Sequence, residues 1–406
     1  MERGANPKAL TFIFITVLID VIGLGIVLPV LPQLIQELSG KSLSEAGTIS
    51  GWMTFAFSSA LFICSPIMGG LSDRYGRRPV LLFSLFGFGM DYLLQAFAPS
   101  ILWLFIGRTM AGITGSSYST AGSYIADVSP ADKKAQNFGL IGAAFGLGFI
   151  IGPSLGAILG NFGTRMPFFA AASLALINVL FGFFVLPESL KPENRRAFDW
   201  KRANPFGTFR VLFRYSILKS FLLTLFAVNI AHQALQSTWS FITIEKFNWD
   251  AKMIGLSLTM VGLMVAIVQG GLTRLLIPRL GTRNAIFTGL TISMCGYFAY
   301  AFASDGWMMF AITIPFAFGG LAGPSIQGLV SNQVPVDAQG ELQGGITGII
   351  SMAAIVGPLL MTRIFSMFSI QNSDHYFPGA PFFAAGILVF AGIILILKPL
   401  SKLEFK

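Results

Sequence analysis

The chain has 406 residues, 54% hydrophobic and 11% charged, with mean hydropathy +0.72 and formal net charge +9. A soluble domain carries about 25% charged residues, so this chain cannot cover a water-facing surface and is read as a polytopic, all-α membrane protein. Two histidines, two cysteines, no phosphate loop and no catalytic triad exclude a His/Cys metal centre, a cofactor enzyme and an ATP-driven pump, and the basic residues flank apolar segments rather than forming a nucleic-acid surface.

A spanning helix needs about 20 mostly apolar residues. The first candidate, 9–35, is too long for a signal-peptide core and has no cleavage pattern after it. A charge inside a span costs at least about 2.5 kcal/mol, so each one needs a reason. Asp20 lies about ten residues into this span, roughly 15 Å deep at 1.5 Å per residue. Low dielectric penalises the ionised carboxyl, as a proton carrier requires. The other reading of Asp20 is a permanent ion pair with Arg108. The second span covers 47–71 and ends in "GGLSDRYGRRPVLL" (69–82). There Gly76 serves a tight turn, Pro79 opens the next helix, and Arg74, Arg77 and Arg78 anchor topology.

The third span, 79–98, carries Asp91, and the fourth, 101–127, carries Arg108 and Tyr118. Arg108 cannot deprotonate, so it either tunes Asp20 or holds the cavity charge; a pair with Asp91 is the alternative. The fifth span, 136–160, has Gly148, Gly152, Gly156 and Gly160 at every fourth position, a strip that admits another backbone. Pro153 beside Gly152 predicts a kink, and the strip is expected to form a tight seam between the halves. The sixth span is 166–187. A basic loop, 188–216, follows.

The seventh span, 217–243, holds Asn229, His232, Gln233 and Gln236 at spacings of three and four, hence on one face. Such a face in lipid belongs in a water-filled cavity or serves as interhelical glue. Trp239 and Phe241 offer aromatic walls. The last spans are 252–278, 284–303, 307–331, 340–367 and 379–397, where Gln269, Gln327 and Asn332 add uncharged polar groups. Cys64 and Cys295 are expected as small buried hydrophobes.

Twelve spans put both termini on one side. With cytoplasmic termini, that side holds 21 of the 27 Lys and Arg residues, against Lys41, Arg165, Lys246, Lys252 and Arg363 outside. The positive-inside rule selects that orientation. The halves also align at a constant offset of 205 residues: "RYGRR" (74–78) with "RLGTR" (279–283), "DVSPAD" (127–132) with "NQVPVD" (332–337), "IGP" (151–153) with "VGP" (356–358). "PFFAA" recurs at 167–171 and 381–385 with nine extra residues. The duplication predicts a six-helix bundle over 1–187, a linker over 188–216 and a second bundle over 217–406, with a site near the midplane between them.

These motifs resemble known ones. "GGLSDRYGRRPVLL" resembles the signature between helices 2 and 3 of the major facilitator superfamily. "GRTMAGITGSS" (107–117) resembles the helix-4 motif of its proton-coupled members, and "GLGFIIGPSLGAILG" (146–160) the helix-5 motif of its antiporters. "DVIGLGIVLPVLPQL" (20–34), "DYLLQAF" (91–97), "NWDAKMIGLSL" (248–258) and "VGPLL" (356–360) are similar to the tetracycline-efflux group of drug:proton antiporters. The resemblance implies gating by Gly70, Asp73, Arg74, Gly76, Arg77, Arg78, Gly152 and Pro153. It also implies a latch in which Asp73 rests near Gln339–Gly340, where a helix dipole favours an anion. Val265 and Ser293 stand where that group has a helix-8 histidine and a helix-9 aspartate, so the second half lacks that titratable pair.

The reading is therefore a monomeric bacterial inner-membrane exporter that exchanges protons, through Asp20, Arg108 and Asp91, for an amphipathic drug-like molecule of the tetracycline kind. Tyr118, Asn229, His232, Gln233, Gln236, Trp239 and Gln327 are the expected substrate contacts. A proton-coupled symporter or facilitator of a small metabolite is the main alternative. A membrane receptor or scaffold is the third.

Overall fold

Hydrocarbon offers no hydrogen-bond partners, so a chain inside it must satisfy its backbone internally. The computed structural model describes residues 7–129, 134–198, 218–331, 333, 339–370 and 373–402, and among these every regular element is helical. Unit 1 gathers 1–40, 56–205 and 251–263; unit 2 gathers 41–55, 206–250 and 264–406.

The first half contributes α1 (Pro7–Val27), α2 (Leu31–Ser39), α3 (Leu43–Tyr75), α4 (Arg77–Ala96), α5 (Ile101–Thr114), α6 (Ser117–Val128), α7 (Lys134–Gly160) and α8 (Met166–Val185). The second contributes α9 (Leu218–Phe247), α10 (Ala251–Ile267), α11 (Thr273–Leu280), α12 (Thr282–Phe302), α13 (Gly306–Phe316), α14 (Ala322–Ser331), α15 (Gln339–Phe368) and α16 (Ala380–Lys402). A wide π-turn over Val268–Leu272 joins α10 to α11, and a 3₁₀ segment over Ala317–Leu321 joins α13 to α14.

Among the described residues, ten of the twelve expected spans are helices long and apolar enough to cross a membrane. The two that fall short are the fourth and the seventh. The fourth is broken at Gly115–Ser116 into α5 and α6, each too short alone. The seventh is one 30-residue helix, α9, whose Asn229, His232, Gln233 and Gln236 dilute its hydropathy. The first expected span also divides, at the turn Leu28–Val30, which contains Pro29 and precedes Pro32 at the start of α2.

The 205-residue offset reaches the element boundaries. Arg77, Ile101, Ser117 and Lys134 begin α4, α5, α6 and α7; Thr282, Gly306, Ala322 and Gln339 begin α12, α13, α14 and α15. The turns match as well: Gly76 and Gly281, repeat-mates, both cap a helix at positive φ, 108° and 76°.

In unit 1, α1 packs on α7 and α8, and α4 on α8 and α5; in unit 2, α9 packs on α15 and α16, and α12 on α16. The core of unit 1 includes Ile13, Val17, Val21, Leu81, Leu85, Tyr124 and Ile125. Outward faces are apolar too, as at Phe183, Phe184, Ile177 and Leu180, which suits contact with lipid tails. Cys64 is half-buried, but Cys295 is exposed on its helix, contrary to the expected burial of both: an apolar exterior accepts a thiol as readily as a core does.

The glycine strip faces mainly α1, within the first half, and its last member, Gly160, also approaches Ala251 of α10 in the second half. A side chain on Gly148 would meet Val21 at 2.6 Å, on Gly152 the Ile22 carbonyl at 2.7 Å, on Gly160 Val30 at 3.0 Å, and on Gly156 the Ile26 backbone. The other side of α7 meets α10, also within unit 1. There Gly255 and Gly262 admit the Pro153 and Phe149 backbones, and the Ser154 and Thr259 hydroxyls bond at 2.7 Å.

Forcing a branched side chain into such a contact costs about 1–3 kcal/mol or more. Gly156→Val is expected to lower the melting temperature and folded yield of the solubilised protein. Gly142→Val, on the same helix with open space around it, is expected to melt like the parent.

Candidate functional site

Asp20 is 5% exposed. Its carboxylate accepts a 2.7 Å hydrogen bond from Ser117 Oγ and also faces the Tyr118 phenol. Ser117 owes its position to the break in the fourth span. After α5 ends at Thr114, Gly115 (ψ 41°) and Ser116 (ψ 18°) leave the helical path, and Ser117 opens α6. "GSS" at 115–117 is a helix-stop and helix-start sequence, and that was the available signal for Ser117, which sequence reasoning missed.

Arg108 does not pair with Asp20. Its guanidinium bonds Asp91, which is fully buried. Gln95 donates a second bond to Asp91 at 2.8 Å, and Arg108 lies over the Phe57 and Tyr92 rings at 5.8 and 5.9 Å. Gly107 lets the carboxylate approach, since a side chain there would sit 2.6 Å from Asp91 Oδ1.

The repeat supplies a comparison. The mates of Gln95 and Arg108 are Tyr300 and Thr313, whose hydroxyls bond each other at 2.8 Å in a buried site. The mate of Asp91 is Gly296. The third and fourth spans are thus tied ionically in unit 1, and the corresponding pair is tied by a neutral bond in unit 2. The mates of Asp20 and Ser117 are Leu225 and Ala322, both buried.

At the far end of α6 the charged turn forms a network within unit 1. Arg77 bonds Asp73 at 2.6 Å, Ser72 at 3.1 Å and Asp127 at 3.1 Å. Glu188, beyond the end of α8, accepts from the Arg77 and Arg78 backbone N–H groups at 2.8 and 3.2 Å, capping the positive end of α4. A side chain on Gly76 would collide with Glu188, and one on Gly70 would meet the Phe198 ring at 2.8 Å. Arg78 bonds the Phe183 carbonyl, and Arg74 lies over Tyr75. Sequence reasoning assigned no role to Asp127 or Glu188, because acids at loop edges carry no periodicity that points to a partner.

Beside this network a cavity of about 250 Å³ is lined from α3 by Ser65, Ser72 and Asp73, and from α6 by Ser119, Thr120 and Ser123.

In unit 2, His232 and Gln236 are exposed one turn apart, and Asn229 and Gln233 are half-buried. Asn229 donates to the Leu225 carbonyl at 2.7 Å, and Gln233 packs against Gly357 of α15. Gln327 is exposed on α14. Trp239 is no exposed wall: it is buried against Tyr300 and Phe382. Tyr118, half-buried against Phe145, belongs to unit 1. Asn332 and most of the expected linker, 199–216, lie outside the described residues. Among the described residues no cluster of acidic, His and Cys side chains fits a metal ion.

A family model for the Major Facilitator Superfamily matches residues 13–344. The chain belongs to the Major Facilitator Superfamily. Among superfamily relatives, it is 39% identical over 363 residues to the tetracycline resistance protein, class C, of Escherichia coli, covering 89% of this chain and 90% of that one. It is 36% identical over 370 residues to the class H protein of Pasteurella multocida, covering 89% and 90%. The crystal structure of the human organic anion transporter MFSD10 (TETRAN) superposes with a TM-score of 0.71 at 23% identity, covering 96% of this chain and 99% of that one, which places the fold. A superfamily member of this kind is a transporter, not an enzyme.

Removing one partner of a buried ion pair costs about 3–5 kcal/mol, because the other charge is stranded. Arg108→Ala is expected to lower the melting temperature strongly. The pair Asp91→Asn with Arg108→Gln, which leaves no charge behind, is expected to recover most of that loss.

Proposed function

We propose that this protein is a secondary active exporter that exchanges protons for an amphipathic, drug-like small molecule by alternating access. The observation that carries this reading is the asymmetry between repeat copies: a buried carboxylate, Asp20, held by Ser117 in one unit, and Leu225 and Ala322 in the other. A duplicated frame keeps its helices with apolar residues at this pair of positions. A charge retained there against a cost of at least about 2.5 kcal/mol has a use beyond packing. The names of the class C and class H relatives point to tetracycline-like compounds as the substrate class.

Asp20 is the proton carrier. Arg108 and Asp91 neutralise each other and brace the carrier's surroundings. Asn229, His232, Gln233, Gln236 and Gln327, with Tyr118, are the substrate contacts. Residues 1–187 and 217–406 act as two six-helix bundles joined by 188–216, in a monomer of the bacterial inner membrane with cytoplasmic termini. The basic residues support that orientation. Asp73 serves as a latch whose release from Arg77 accompanies the conformational change, with Gly70, Arg74, Gly76, Arg78, Gly152 and Pro153 shaping the hinge. A symporter or facilitator has no observation in its favour.

The test is tetracycline efflux from reconstituted vesicles under an imposed pH gradient. The parent is expected to accelerate efflux with the gradient. Asp20→Asn is expected to retain folding and lose the acceleration. Gradient-driven efflux by Asp20→Asn at the parent rate overturns the assignment.

A further inference from the structure

A carboxyl that carries protons through a membrane needs a way to pass them to one side. Asp20 is enclosed. From α6 it meets Ser117 and Tyr118. From α4 it has Tyr92, packed against Gly23, with the Asp91–Arg108 pair behind. On α7 and α8 no titratable side chain faces it: α8 has none, and α7 has only Lys134, at its far end. Gly148 of α7 lies against Val21, and Asn178 of α8 donates to the Thr16 carbonyl. Two polar directions lead out of this enclosure among the described residues: one ends in the mutually neutralised Asp91–Arg108 pair, and the other runs along α6.

Thr120 lies one turn beyond Ser117 on the same face of α6. It is 2% exposed, and its hydroxyl has no hydrogen-bond partner among the described residues. The neighbouring Ser116 hydroxyl is also buried without one. A buried hydroxyl left unbonded costs free energy, so its presence calls for a reason. Thr120 is also part of the wall of the 250 Å³ cavity that holds Asp73 and Arg77. One short helix therefore begins at the buried carboxylate and passes the cavity before ending beside the charged network at Asp127.

We propose that Ser117 and Thr120 form a hydroxyl relay that transfers the Asp20 proton to the cavity beside Asp73. Protonated Asp20 gives its proton to Ser117 Oγ while the Ser117 hydroxyl proton moves on toward Thr120. Thr120 in turn releases one proton to the solvent of the cavity. Each hydroxyl takes one proton and gives one, and Asp20 is left ionised. The return step, rotation of Ser117, restores its hydrogen bond to the carboxylate. Ser117 also positions the carboxylate, whereas Thr120 acts on the transfer alone. The relay rests on the reading of Asp20 as the proton carrier. The second unit lacks its starting point, having Leu225 and Ala322 at the matching positions.

Infrared difference spectroscopy on the full chain in lipid nanodiscs tests both together, with protons as the only ligand. A pH jump should produce a carboxylic C=O band that Asp20→Asn removes. Ser117→Ala is expected to move the titration midpoint of that band by about one pH unit, the size set by one hydrogen bond to a charge, and Ser117→Thr to restore it. Thr120→Val keeps the shape and loses the hydroxyl. It is expected to leave the midpoint unchanged and slow relaxation after the jump about tenfold, while Thr120→Ser relaxes like the parent. Relaxation of Thr120→Val at the parent rate overturns the relay. An unmoved midpoint in Ser117→Ala overturns the positioning role. A band that survives Asp20→Asn overturns the reading of Asp20 as carrier instead.

Discussion

An apolar surround supplies no hydrogen bonds, so a polar group within the spans is costly unless it finds a partner within the protein. Unit 1 is arranged around that demand. Asp91 is neutralised by Arg108 and Gln95 across the third and fourth spans. The break at Gly115–Ser116 turns Ser117 onto Asp20. The same requirement explains the glycines beside these groups. Gly107 admits the Asp91 carboxylate, and Gly152 and Gly156 bring α7 against the α1 backbone that carries Asp20.

The charged turn answers a different demand. Helix α4 begins with N–H groups that have no partner within the helix. Glu188 satisfies two of them from beyond α8. Arg77 then holds Asp73 and Asp127 together, which fastens α3 and α6 to the start of α4. Helix α6 runs from this turn, at Asp127, to Ser117 beside the buried carboxylate, about 15 Å at 1.5 Å per residue.

Much of the architecture was legible in the sequence. The apolar runs located the helices, and three motif matches fixed an offset that also governs where helices begin. What escaped was pairing. Asp20, Asp91 and Arg108 could be recognised singly by their cost, but no spacing says that Arg108 turns to Asp91. Glycine at every fourth position announced close packing and left the partner open. Trp239 looked like a wall because it lies seven residues from His232, hence near the polar face, yet its ring is packed against Tyr300 and Phe382. Ser117 was overlooked because a serine in a span is inexpensive, and cost was the criterion applied.

The duplication carries its own control experiment. At the positions of Asp20 and Ser117 the second copy holds Leu225 and Ala322, and at those of Gln95 and Arg108 it holds Tyr300 and Thr313. Nature has thus already made the uncharged version of these sites and kept it folded within the same chain. Positions in this frame therefore accept charged and uncharged side chains alike, provided that the partners change together, as Tyr300 and Thr313 do.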